Sequence, residues 1–389
     1  MAEARDKGGP AAPAFEQGPI RPPSEANSLL VRVTRNCPWN QCEFCPVYKG
    51  ERFSRRSVAE VEDDIRAMAH WHERAVAESR RLGFGGRLDL DSIAAVYERN
   101  RNPCLASILV WLAGGGRTAF LQDANNLALE TDDLAAMLRF LRRTFPAIVR
   151  VTSYARSQTL ARRPVEELRR LKEAGLDRVH VGLESGADSV LALVKKGADA
   201  ASHIQGGRNA KAAGFELSEY IMPGLGGRAL SEEHAAGTAR VLSAIDPDFI
   251  RVRTLGLKAG IPLEERRRRG EFDPLTDLEM ARELRLTVAG LTDIGSRVVS
   301  DHILNLLPEV EGKLPEDKEK MLAVIDRYLA LPEEERLLYM VGRRLGMMEG
   351  LSDLEDEDRR RAAGATLARL RQINPDVDAA VREIASRFI

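Results

Sequence analysis

Cysteine is scarce, with four in 389 residues. No apolar stretch approaches the ~20 residues that a membrane-spanning helix needs. The opening Met-Ala-Glu-Ala-Arg-Asp has no apolar core of a secretory signal. The expected compartment is therefore the reducing cytoplasm, where disulfides are not expected. Neither charge sign is in excess: 58 Lys and Arg stand against 59 Asp and Glu. Such a balance leaves no whole-chain electrostatic footprint for nucleic acid. The densest basic run, 266–269, is flanked by Glu264, Glu265 and Glu271 and reads as a solvated helix face. No repeat of fixed period is present.

Against that scarcity, three of the four cysteines fall within nine consecutive positions: Cys37, Cys42 and Cys45. Thiolates gathered so closely suit a soft metal centre. Zinc with Cys104 or a distant His as fourth ligand is one reading, and plain buried or redox thiols are another. The spacing is better suited to an iron–sulfur cubane: it takes four ligands, and three local thiolates leave one iron open for chemistry.

Around this loop the chain alternates strands and helices. Residues 1–27 are rich in Gly, Pro, Ala and charge and read as a poorly ordered leader. A short apolar strand, 29–33, runs into the cysteine loop. A helix over about 55–81 has Ser57 as its cap and Glu60 as capping-box partner. Further strands are expected at 118–121, 148–152, 178–183, 216–221 and 248–254, with amphipathic helices between them. Gly175 and Gly214 sit where helices should end. Alternation of this kind predicts a parallel sheet with functional residues at the C-terminal strand ends. The expected fold is α/β: an incomplete (β/α)6 TIM-type barrel over 28–262, with an insertion at about 82–116 and a helical C-terminal extension over 263–389.

The cysteine loop resembles the cluster motif of the radical S-adenosylmethionine (SAM) superfamily. The family's usual spacing is C-x3-C-x2-C with an aromatic before the last Cys. This chain has C-x4-C-x2-C with Phe44 in the aromatic position. The core as a whole is similar to the Elongator-catalytic-subunit and coproporphyrinogen-dehydrogenase type. The resemblance implies that Cys37, Cys42 and Cys45 ligate a [4Fe-4S] cluster whose open iron is chelated by SAM. It further implies one-electron cleavage to a 5′-deoxyadenosyl radical, and a flavodoxin- or ferredoxin-type donor. Arg35 and Lys49 flank the loop and are candidates for docking that donor.

Carried onto the strand ends, the resemblance places cofactor contacts at Gln122 and Asp123, at Ser153 and Arg156, at Glu184 and Ser185, and at Met222 in its Met-Pro-Gly turn. Arg251 and Arg253, two apart on one strand face, are further cofactor-contact candidates: pointing into the core they need anionic partners, namely the SAM carboxylate, an anionic substrate or Glu184. One remaining cysteine cannot hold a second cubane, and neither a cobalamin motif nor an acetyltransferase-like region is present. Beyond about Ile261 only helical patterns are expected, and one of them would place Asp301, His302 and Asn305 over the barrel mouth as catalytic candidates. The substrate is not named by any motif. Methyl or methylthio transfer, another mode of SAM cleavage, and a zinc-stabilised α/β binding module are the competing functional readings.

Overall fold

The computed structural model describes residues 13–374 and 376–385. Eight strands lie side by side in chain order: β1 (Leu29–Arg32), β2 (Thr118–Gln122), β3 (Arg150–Ala155), β4 (Arg178–Glu184), β5 (Glu216–Ile221), β6 (Phe249–Val252), β7 (Arg297–Val299) and β8 (Gly312–Lys313). The first seven are parallel, and β8 pairs antiparallel with β7. Because β1 and β8 are not paired, the curved sheet stays open, as an incomplete TIM-type barrel.

Strand alternation explains the two faces. Val179, Val181 and Leu183 of β4, Leu217 and Ile221 of β5, and Ile250 and Val252 of β6 belong to the core between sheet and helices. Full burial of each such side chain contributes about 1.5–3 kcal/mol. The alternate residues line the lumen, where Phe120, Tyr154, His180 and Tyr220 form a chain of rings with centroids 5.0, 6.0 and 5.5 Å apart. The long helix Val58–Arg81 begins at the expected capping box, with Ser57 and Glu60 bonding each other's backbone N–H. The insertion folds as two helices, Leu90–Arg99 and Pro103–Ala113, capped by Asp89 and Asn102.

Three expectations need correction. Residues 13–27 are not a loose leader. The Trp71 indole donates to Pro13 O at 2.7 Å, Glu16 pairs with Arg32 and Arg35, and Glu25 is fully buried among Thr152, Arg150 and His180. Gly and Pro content suggested disorder, but buried cations elsewhere in the chain supply the partners. Residues 1–12 lie outside the described residues. Second, strand structure continues past Ile261 as β7 and β8, each too short to show alternation. Third, residues 301–307 form a loop and not a helix.

Candidate functional site

The cysteine loop leaves β1 and is fastened at many points. Asn36 and Asn40 adopt left-handed backbone, φ 67° and 46°, which Asn tolerates better than most residues. The Asn40 side chain donates to the carbonyls of Tyr48 and Glu51, and its N–H reaches Cys37 Sγ at 3.5 Å. The longer first spacer of the motif turns at this residue. From across the mouth, the turn after β4 grips the loop. Trp39 Nε1 donates to Lys195 O at 2.7 Å, Glu43 N to Val194 O at 2.9 Å, and Cys42 Sγ approaches Lys196 O at 3.9 Å. The Arg156 guanidinium covers the Trp39 ring at 5.1 Å and donates to the carbonyls of Lys196 and Gly197.

Burial raises the Cys42 and Cys45 thiols above their ordinary range, and Lys196 acts against that rise. Lys196 Nζ sits 3.0 Å from Glu184 Oε1 and 5.7 Å from the centre of the Phe44 ring. Phe44 and Met222 pack on the apolar cluster of Leu225, Ile261, Leu263 and Phe272. Beside the loop lies a cleft of about 430 Å³ bordered by Pro38, Asn125, Arg156, Arg162 and Glu167.

Among the described residues, no three His, Cys, Asp or Glu converge as a ligand set for a single ion. Cys104 packs against the hydrophobic core from the insertion helix Pro103–Ala113. The loop supplies three soft donors with Lys196 and Arg156 near them, a donor chemistry that fits an iron–sulfur cubane with one open corner.

The expected site residues divide. Phe44, Arg156, Glu184 and Met222 are gathered around the thiols or the rim next to them. Gln122 is not: its amide is used up by the backbone of Gly18 and Ile20. Asp123 is fully buried and holds the loop from beneath, accepting from Arg32 and from Asn36 N at 3.0 Å. Ser153 faces the helices, bonded to Asn126, while its neighbours Thr152 and Tyr154 face the lumen. Ser185 lies behind the sheet, on the same side as Leu183, and bonds His234 and Ala187 N. Arg251 and Arg253 lie on the β6 side of the lumen, the first paired with Asp301 and the second over the Tyr220 ring.

His302 is half-buried, and burial, with Arg253, pushes it down to about 4. Asn305 is buried and spent on structure, bonding Thr254 N, Thr254 Oγ1, Val252 O and Ser300 Oγ. It is thus corrected from a catalytic candidate to a clasp. Arg35 is paired with Glu16 and Glu60, whereas Lys49 donates only to the neutral carbonyl of Asn40. Sequence reasoning missed Trp39, Lys196, Tyr154 and Tyr220. The Lys195-Lys196-Gly197 turn after the short helix Asp188–Leu193 was the available signal for the second.

Fold and site together define an open parallel α/β barrel with three thiols at its mouth. Residues 31–238, just over half of the chain, match the Radical SAM superfamily. The chain belongs to that superfamily and is an enzyme. The family implies a [4Fe-4S] cluster and SAM. No curated protein matches the chain.

Several solved structures are similar. One is the archaeal Methanocaldococcus infernus Elp3 with an N-terminal deletion, at 18% identity over 57% of this chain and 55% of that one, TM-score 0.39. Methylornithine synthase, PylB, is 16% identical over 71% and 66%, TM-score 0.43. Coproporphyrinogen III oxidase, HemN, from Escherichia coli is 16% identical over 67% and 51%, TM-score 0.42. The chain thus spans roughly half to two thirds of the length of these proteins. Among the described residues, no helix is long and apolar enough to cross a membrane.

Proposed function

We propose that this chain holds a [4Fe-4S] cluster on Cys37, Cys42 and Cys45, binds SAM beside it, and abstracts a hydrogen atom from a substrate in the lumen. When bound and reduced, such a cluster supplies one electron to the sulfonium of SAM, yielding methionine and a 5′-deoxyadenosyl radical. The observation that carries the reading is the three-thiol loop, fastened at the mouth of a parallel barrel with Lys196 and Glu184 opposite.

The chain's own residues have distinct tasks in this reading. Trp39, Glu43 and Arg156 hold the loop to the turn after β4, so the thiols keep one geometry. Lys196 offsets negative charge gathered on the thiolates. Glu184, fixed by Lys196, offers carboxylate acceptors for an amine or ribose hydroxyls. Phe44 and Met222, with their apolar cluster, keep water from a reactive radical. An electron donor of flavodoxin or ferredoxin type completes the cycle.

The test is anaerobic reconstitution with iron and sulfide, followed by dithionite and SAM. A brown protein that releases 5′-deoxyadenosine supports the reading, and Cys42→Ala should abolish both properties. Zinc at one equivalent with no SAM cleavage would sink it. Methylthioadenosine or S-adenosylhomocysteine as product would redirect it to thiomethyl or methyl transfer.

A further inference from the structure

The lumen's charges are nearly balanced, and the imbalance is local. On the β5–β6 side, Arg251 donates from NH1 to Asp301 Oδ2 at 2.8 Å and from Nε to Ser218 Oγ at 3.1 Å. Lower down, Glu25 is paired with Arg150, and at the rim Glu184 is paired with Lys196. Arg253, just beyond β6, is different. Its guanidinium lies 4.9 Å above the Tyr220 ring, and among the described residues no carboxylate pairs with it.

Two neighbouring polar groups are unsatisfied as well. Tyr220 is 6% exposed and its hydroxyl has no hydrogen-bond partner among the described residues. His302 Nδ1 is buried and equally without a partner. Buried polar atoms are rarely left so, because each costs about 1–3 kcal/mol of desolvation. An arginine, a tyrosine hydroxyl and a neutral imidazole together make a receptor for an oxyanion.

The charge count selects which oxyanion. Asp301 already neutralises Arg251, and His302 is held neutral by burial and by Arg253. One uncompensated positive charge remains, which matches a monoanion such as a carboxylate; a phosphate dianion would ask for two. The cations that face the thiols are Lys196 and Arg156, not Arg253. We infer that Arg253, Tyr220 and His302 receive a carboxylate group of the substrate, which makes the substrate a carboxylic acid. The inference rests on the lumen being the substrate chamber, as in the proposed function.

The test uses the full chain, anaerobically reconstituted, titrated with benzoate and with its uncharged counterpart benzamide while the melting temperature is followed. Benzoate should raise the melting temperature and benzamide should not. Arg253→Met should weaken the benzoate response at least tenfold. Tyr220→Phe, which removes only a hydroxyl, should weaken it several-fold, and Arg253→Lys should recover part of what Met loses.

Equal responses to benzoate and benzamide, no response to either, or an unchanged response in Arg253→Met would overturn the subsite. So would an Arg253→Met protein that loses its response to SAM but keeps that to benzoate, because the arginine would then serve the cofactor. A wild-type protein that selects benzoate yet releases no 5′-deoxyadenosine supports the subsite and overturns the proposed reaction.

Discussion

Lys196 Nζ and Glu184 Oε1 lie 3.0 Å apart in the space above Gly182, where a Cβ would overlap both groups. One glycine on β4 thus makes room for the ion pair that faces the thiols. The pair closes over the strand because Glu184 takes a left-handed φ of 64° after the bulge.

Gly182→Ala should therefore displace the pair without unfolding the barrel. The atoms in the way are the ends of flexible side chains. The expected outcome is a melting temperature close to wild type, cluster loading retained, and 5′-deoxyadenosine formation reduced at least tenfold. Circular dichroism melting and product quantification check it. A variant with unchanged turnover would separate the ion pair from SAM.

Gly197→Ala should act on the cysteine loop itself. Gly197 has φ 70° and packs directly on the Trp39 ring, so a methyl group is both strained and obstructed. The left-handed conformation alone costs about 1–2 kcal/mol in an L-residue. Expected are a blue or red shift of tryptophan emission and a several-fold drop in iron bound per chain after reconstitution. Iron assay and fluorescence on the same sample decide it.

Glu283 predicts a pH dependence of stability. Burial pushes its carboxyl up to about 7, although hydrogen bonds from Ser231 and Gly224 N pull the other way. The folded protein thus holds the proton more tightly than the unfolded chain does. The stabilisation is complete below the ordinary value near 4.5 and is lost as pH rises through about 7. Glu283→Gln should abolish this dependence and be the more stable protein at pH 8, by at most about 3 kcal/mol. Denaturant unfolding of both proteins across that range measures it, and parallel curves would refute it.

Glu25 predicts the opposite sign at lower pH. Burial alone would raise its carboxyl, yet His180, Ser28 and Arg150 outweigh that and bring it down to about 2. Its contribution is present above the ordinary value near 4.5 and is lost as pH falls through about 2. Glu25→Ala leaves Arg150 facing an empty partner site beneath the lumen, and breaking such a buried pair costs about 3–5 kcal/mol. Urea unfolding at neutral pH should show a midpoint well below wild type. An unchanged midpoint would mean that residues 13–27 do not secure the barrel.

Much of this was readable along the chain because it is written in local pattern. The thiol triplet needs only its spacing. The Ser57–Glu60 capping box needs only three residues of separation, and the β4 run alternates visibly between Val179, Val181, Leu183 and the lumen side. Local rules misplace a residue where register or partners intervene. Pleat places Ser185 with Leu183 and Ser153 with Val151 behind the sheet, and Tyr154 inside it.

The amino-acid sequence by itself determined the thiol triplet and the strand–helix order from β1 to β6, since both follow from residue type at fixed spacing. Only the tertiary structure decided which polar groups were free. Gln122 is consumed by Gly18 and Ile20, Asn305 by the end of β6, and Arg251 by Asp301. Arg253, identical in type and two residues on, is left over. Hydrogen-bond and charge satisfaction is a property of neighbours brought together across the fold, so no reading along the chain could have told the two arginines apart.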